Sequence, residues 1–145
     1  MTDMHFVPSG SGDTFDLGVV KMKLIASGED TDGQFALAEW DGSEGPWTIP
    51  HLHRHTQESF YVLDGEFIFV CDGHEVAAEA GSYLLVPPGT PHVLRAGTRG
   101  GRLLTVMVPG GLEGMFRELS QLPSDSLRDP ATRAAVSARY DSIPA

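Results

Sequence analysis

Residues 51–65 read HLHRHTQESFYVLDG, and residues 87–92 read PPGTPH. The first stretch sets His51, His53 and His55 at alternate positions and follows them with Glu58. In an extended chain, side chains two residues apart face the same side, so His51 and His53 point together. Glu58 has the opposite parity. It joins them only through a bend, which His55-Thr56-Gln57 can supply. His92 follows the stiff Pro87-Pro88-Gly89-Thr90-Pro91 bend, which can aim its ring at the others. Three neutral imidazoles and a carboxylate suit a divalent first-row transition metal. His55 shares the parity of His51 and His53 and is a further candidate ligand. Gln57 takes the place of Glu58 in the cavity if the bend shifts by one residue.

Working outward, the flanking chain reads as short strands. Gly18 to Ala26 alternates Lys21 and Lys23 with apolar neighbours, and Gln34 to Trp40 follows a Gly33 turn. Asp64-Gly65 and Asp72-Gly73 read as hairpin turns. Tyr83 to Val86, His92 to Leu94 and Leu103 to Val108 complete roughly eight to ten strands between residues 18 and 108, a pattern of sandwiches and barrels. The tail changes period. Met115, Phe116, Leu119 and Leu122 fall on one helical stripe, and Asp129-Pro130 opens a second helix running to Arg139. Neither helix is long enough to stand alone, so both should dock on the β body. The expected organisation is a flexible N-terminal arm over 1–14, a β-barrel domain over 15–110, and a helical tail over 111–145 that packs on the barrel.

The composition narrows the function. The chain has 145 residues, 20 acidic against 10 basic, and a formal net charge of −10. Such a polyanion repels phosphate backbones, which argues against nucleic-acid partners. The lone Cys71 rules out an intramolecular disulfide, and it reads as packing, not as a nucleophile. No apolar run approaches the ~18 residues of a membrane span, and the polar stretch Met1 to Gly12 lacks a signal-peptide pattern. A cytoplasmic protein is expected. His74 sits beside a hairpin tip and His5 in the arm, both as surface residues.

Taken together, these stretches resemble the two motifs of the cupin superfamily. The first motif runs from Gly45 through His51, His53 and Glu58 to Gly65. The second runs from Gly81 through Pro87, Gly89 and His92 to residue 96, where Ala96 stands in place of the motif's Asn. The details FYVLDGEF and LLVPPGTPH look most like the small, quercetin-dioxygenase-like bacterial cupins. The resemblance implies an all-β, cupin-type barrel (a double-stranded β-helix, or jelly roll) with short C-terminal helices. It implies one metal held by His51, His53, Glu58 and His92, and a homodimer. The metal would be iron, manganese, nickel, copper, cobalt or zinc.

The expected activity is a metal-dependent dioxygenase acting on a small aromatic or enolic substrate, with Glu58 either a ligand or, when detached, the catalytic base that takes the substrate's proton. A non-oxidative isomerase, cyclase or lyase, or a ligand-binding protein without catalysis, would use the same four residues. By strand parity, Phe60 and Val62 accompany Glu58, and Leu94 accompanies His92. Together with Phe35 and Trp40 they are the expected pocket lining.

Overall fold

Strand alternation sets the first layer of the molecule, whose computed structural model describes residues 3–145. Strands β1 (Asp13–Asp16), β2 (Val20–Ala26) and β3 (Ala36–Gly42) form an antiparallel run. In β2, Val20, Met22, Leu24 and Ala26 are buried, while Lys21 on the other face is exposed. Asp13 and Thr14, inside the expected arm, pair with Leu24 and Lys23. Met1 and Thr2 of that arm lie outside the described residues.

Seven further strands follow: β4 (Gly45–Pro46), β5 (His51–Leu52), β6 (Gln57–Cys71), β7 (His74–Glu79), β8 (Tyr83–Val86), β9 (His92–Val108) and, at the C-terminus, β10 (Ile143–Pro144). The two long strands organise the rest. β6 and β9 lie antiparallel from Gln57 opposite Val108 to Cys71 opposite His92. The first half of β6 also pairs with β8 and its second half with β7. β9 pairs with β3 through one half and with β4 and β5 through the other. The all-β expectation holds, and the result is an antiparallel jelly-roll barrel.

Two sequence readings are corrected here. Asp64-Gly65 is not a hairpin turn, and His92–Leu94 and Leu103–Val108 are not separate strands. Gly65 takes a φ of +82° inside the continuous β6, with register shifts on both sides. A Cβ there would strike the Gly100 carbonyl oxygen and come within 2.7 Å of Gly101 Cα. The glycine therefore serves a strand bend where two backbones meet, a role that shares its local sequence with a turn. Asp72-Gly73 does turn a hairpin, with φ of 49° and 80° and Cys71 paired to His74.

The tail closes one end of the barrel with α1 (Glu113–Ser120), α2 (Ser124–Arg128) and α3 (Pro130–Ser137). Met115 and Leu119 of α1 and Val136 of α3 are buried against Met22, Leu24, Ala36, Ala38 and Met107. Phe116 and Leu122 pack half-buried beside them. Each such side chain contributes about 1.5–3 kcal/mol of burial, which the short helices need. Glu113 anchors α1 by accepting the Gly28 and Gly111 N–H groups, both at 2.6 Å. Asp129 caps α3 by accepting from the Thr132 hydroxyl and N–H, and Pro130 occupies the first turn. No helix among the described residues is long and apolar enough to cross a membrane.

Candidate metal centre

The barrel topology brings four side chains from three places to one point. His51 on β5 sits directly opposite His92 on β9. His53 lies just beyond β5. Glu58 is the second residue of β6 and faces inward, paired with Met107 and Val86. One donor atom from each of His51, His53, Glu58 and His92 lies within 4.8 Å of all the others. His53, Glu58 and His92 are buried and His51 half-buried.

The backbone orients every imidazole in the same way. His51 Nδ1 donates to the Ile49 carbonyl at 2.6 Å, His53 Nδ1 to the Asp141 carbonyl at 2.6 Å, and His92 Nδ1 to the Thr90 carbonyl at 2.9 Å. A carbonyl can only accept, so each ring carries its proton on Nδ1 and presents Nε2 to the cavity. Outer hydrogen bonds of this kind fix the tautomer of metal-binding histidines. Glu58 Oε1 then stands 2.7 Å from His53 Nε2 and 3.1 Å from His92 Nε2. The His92 contact has the alignment of a hydrogen bond, but with the ring proton on Nδ1 its Nε2 has none to donate. The His53 contact is short but misaligned, which leaves His53 Nε2 buried without a hydrogen-bond partner. Two lone-pair nitrogens against one carboxylate oxygen repel unless positive charge lies among them. A proton meets that need partially; a divalent cation meets it at all three rings. The donor set therefore fits a transition metal.

The titration of these groups follows from the same crowding. Burial, with His92 close by, pulls the His51 imidazole from 6.5 down to about 4. Burial also opposes charge on His53, but the Glu58 carboxylate and the Asp141 carbonyl outweigh it and shift that ring upward. Burial raises Glu58, yet the His53 and His92 imidazoles pressed against it, which attract it once either is protonated, prevail and take it down to about 2.

The bend that admits Glu58 is held from far along the chain. Asp141, between α3 and β10, accepts the N–H groups of Arg54, His55 and Thr56 at 2.7, 2.9 and 2.9 Å, and the Thr56 hydroxyl at 2.8 Å. The Gly89 N–H donates to the His53 carbonyl at 2.6 Å, tying the proline bend to the histidine loop. Sequence reading missed Asp141. Three consecutive unpaired N–H groups at the bend do call for an acceptor, but nothing local names a residue more than eighty positions away.

Comparison with known proteins matches this architecture. A family model described as the cupin domain matches residues 40–108. The quercetin 2,3-dioxygenase of Bacillus subtilis (strain 168) is 33% identical over 115 residues, covering 79% of this chain and 34% of that protein. The solved structure of an RmlC-like cupin from Shewanella frigidimarina is 25% identical, with a TM-score of 0.65, covering 77% of this chain and 96% of that one. The chain is a cupin. Its fold is also that of Streptomyces Pac13, a nucleoside dehydratase, at 14% identity and a TM-score of 0.62 over 79% of this chain and 88% of that one. This cupin spans about a third of the length of the Bacillus enzyme it matches.

Beside the four donor residues the cupin holds a cavity of about 290 Å³. Of the expected lining, Phe60, Leu94 and Trp40 reach its wall. Val62 does not; it is fully buried in the packed interior with Phe67 and Phe69. Phe35 does not either. It precedes β3 with the parity opposite to the inward Ala36, Ala38 and Trp40, and it is exposed. Trp47, Thr48, Ile49 and the tail residues Phe116 and Leu119 also line the cavity. The first three immediately precede His51, a proximity the sequence displayed. The tail residues required knowledge of where the helices dock.

His55 is exposed and turned away from the donor cluster, lining a surface groove with Arg54 and Tyr140. Gln57 pairs with Val108 and is absent from the cavity wall. Ala96, in place of the motif Asn, is fully buried beside Phe67 and Phe69. His74 is exposed, and His5 bonds the Ile25 carbonyl near the surface. Cys71 is half-buried, and burial pushes its thiol upward, away from the reactive thiolate.

Proposed function

We propose that this cupin binds one divalent transition metal through His51, His53, Glu58 and His92 and oxygenates a small aromatic or enolic substrate. Iron, manganese, nickel, copper, cobalt and zinc all suit the donor set. The observation that carries the reading is the set of three carbonyl-locked rings, each with Nε2 turned toward the Glu58 carboxylate at the edge of an apolar cavity. Likeness to a quercetin 2,3-dioxygenase supports the choice of reaction.

When bound, the cation supplies Lewis acidity and open coordination positions for oxygen donors. The chain supplies the rest. Trp40, Phe60 and Leu94 bind and orient a flat apolar substrate and keep water out. Glu58 Oε1 lies among the donor nitrogens, where it can accept a hydroxyl proton from an enol or catechol. His53 and His92 keep it ionised until then. Tyr61, Tyr83 and Leu85 are exposed together on the outer sheet face, and Tyr61 pairs directly with Tyr83. We read that face as the contact with a second copy of the chain, which light scattering of the purified protein tests.

The test of the reaction is elemental analysis of untagged protein, followed by oxygen-electrode assays with quercetin, catechol and an enediol. Oxygen consumption that His53→Ala abolishes supports the proposal. A metal-loaded protein that consumes no oxygen with any of the three refutes it. Turnover without oxygen would then favour an isomerase, cyclase or lyase, and a tightly retained ligand without turnover a binding protein.

A further inference from the structure

The charge of the cavity wall runs against that of the chain. Acidic residues outnumber basic ones twenty to ten overall. Yet the wall carries two arginines, Arg128 at the end of α2 and Arg133 within α3, and a single carboxylate, Glu58. Glu58 is buried and occupied by His53 and His92. Asp129 lies between the two arginines in sequence, but its carboxylate caps α3 through Thr132. Among the described residues neither arginine makes an ion pair or a side-chain hydrogen bond. Arg102 and Arg139, outside the cavity, pair with Glu39 and Glu118. The two cavity arginines are thus left with donors free at the wall of a chamber that, away from the histidine cluster, is mostly apolar and holds Trp40, Phe116 and Leu127.

We propose that the cavity selects an anionic amphiphile: a small molecule with an apolar or aromatic body and a carboxylate or similar anionic head held by Arg128 and Arg133. The body lies along Trp40 and Phe116, toward the histidine cluster. A guanidinium fork matches a planar oxyanion with two parallel hydrogen bonds, and two exposed forks steer such an anion to the opening. Neutral molecules of the same shape gain only the apolar contact. The inference rests on the reading that this cavity is the substrate site, and it narrows the substrate class to acids.

Fluorescence titration of the full chain with 8-anilinonaphthalene-1-sulfonate and with uncharged N-phenyl-1-naphthylamine tests it. The two probes share one aromatic frame. The double variant Arg128→Ala, Arg133→Ala should weaken the sulfonate about fivefold or more, as expected for two exposed charge contacts, and leave the neutral probe nearly unchanged. The sulfonate's advantage should shrink with added salt. Arg102→Ala with Arg139→Ala removes the same charge elsewhere and should leave both probes unchanged. Benzoate should displace the sulfonate, whereas inorganic phosphate at equal concentration should not. The proposal fails if the cavity double variant leaves sulfonate binding unchanged, if it weakens both probes alike, or if the control variant has the same effect. It fails also if phosphate alone displaces the probe, which would mean an anion site indifferent to the apolar body. Titrations run on metal-stripped protein and again on loaded protein keep this result separate from the metal and oxygen tests.

Discussion

Asp141→Ala removes an acceptor that serves four donors at once. The carboxylate takes three successive backbone N–H groups, from Arg54 to Thr56, and the Thr56 hydroxyl, all between 2.7 and 2.9 Å. A hydrogen bond to a charged acceptor contributes about 1.5–3 kcal/mol when sheltered. Asp141 is only half-buried, and water can replace part of what it provides, so about 1 kcal/mol for each of the four bonds and about 4 kcal/mol in total is the reasonable expectation. The backbone carbonyl of residue 141, which holds the His53 ring, survives the substitution but loses the clamp that keeps it in place. Changes one shell beyond the ligands typically cost 10–100-fold in metal affinity, and a loss of about tenfold or more is expected here. Urea unfolding measures the first effect; competition for zinc or cobalt against a chromogenic chelator measures the second. Asp141→Asn keeps an acceptor oxygen without the charge and should fall between. If Asp141→Ala lowers stability yet binds metal with wild-type affinity, the clamp does not position the donors, and the coupling argued here is wrong.

Three other expectations follow from the same geometry. In metal-stripped protein, His51 stays neutral down to about pH 4 when folded but takes a proton near 6.5 when unfolded. Its contribution is therefore complete above pH 6.5 and declines as pH falls toward 4, by on the order of 3 kcal/mol. His53 is shifted the other way, so its contribution is complete below 6.5 and declines as pH rises through its folded value. Stability measured by thermal unfolding should peak near pH 6.5, and His51→Ala should flatten the acid side; an unchanged acid limb in that variant would contradict the assignment. Chelation of metal-loaded protein should lower the melting temperature of the wild type, with about 4 kcal/mol lost where metal had exceeded Kd a thousandfold. The same treatment should leave a His51→Ala, His53→Ala double variant unmoved. Thr105 Oγ1 is buried with no partner among the described residues, so Thr105→Val should stabilise by about 1 kcal/mol in denaturant titration; a loss would reveal a bond to an ordered water.

Much of the site was readable before folding because its signals are local. The His51 and His53 parity, the bend before Glu58, and the stiff prolines before His92 lie within short windows, where backbone stereochemistry alone dictates direction. Asp72-Gly73 turned as its residues require, and the Met115–Leu119 stripe docked as a helix. Asp64-Gly65 misled because a glycine at positive φ serves a tight turn and a strand bend equally well; only the close approach of Gly100 and Gly101 from the neighbouring strand distinguishes them. Phe35 misled in another way, since an aromatic residue carries no sign of which face it will occupy until the strand beside it starts.

Residue types and their spacing by themselves determined which groups were available to bind a cation and which sides they faced. Distance across the chain was decided by the tertiary structure. Asp141 reached the Arg54–Thr56 bend, Arg128 and Arg133 reached the cavity, and Val62 sank into the packing instead of the wall. Such placements depend on the docking of the tail against the barrel, a balance of buried area and backbone hydrogen bonds summed over the whole molecule, which no short window of sequence contains.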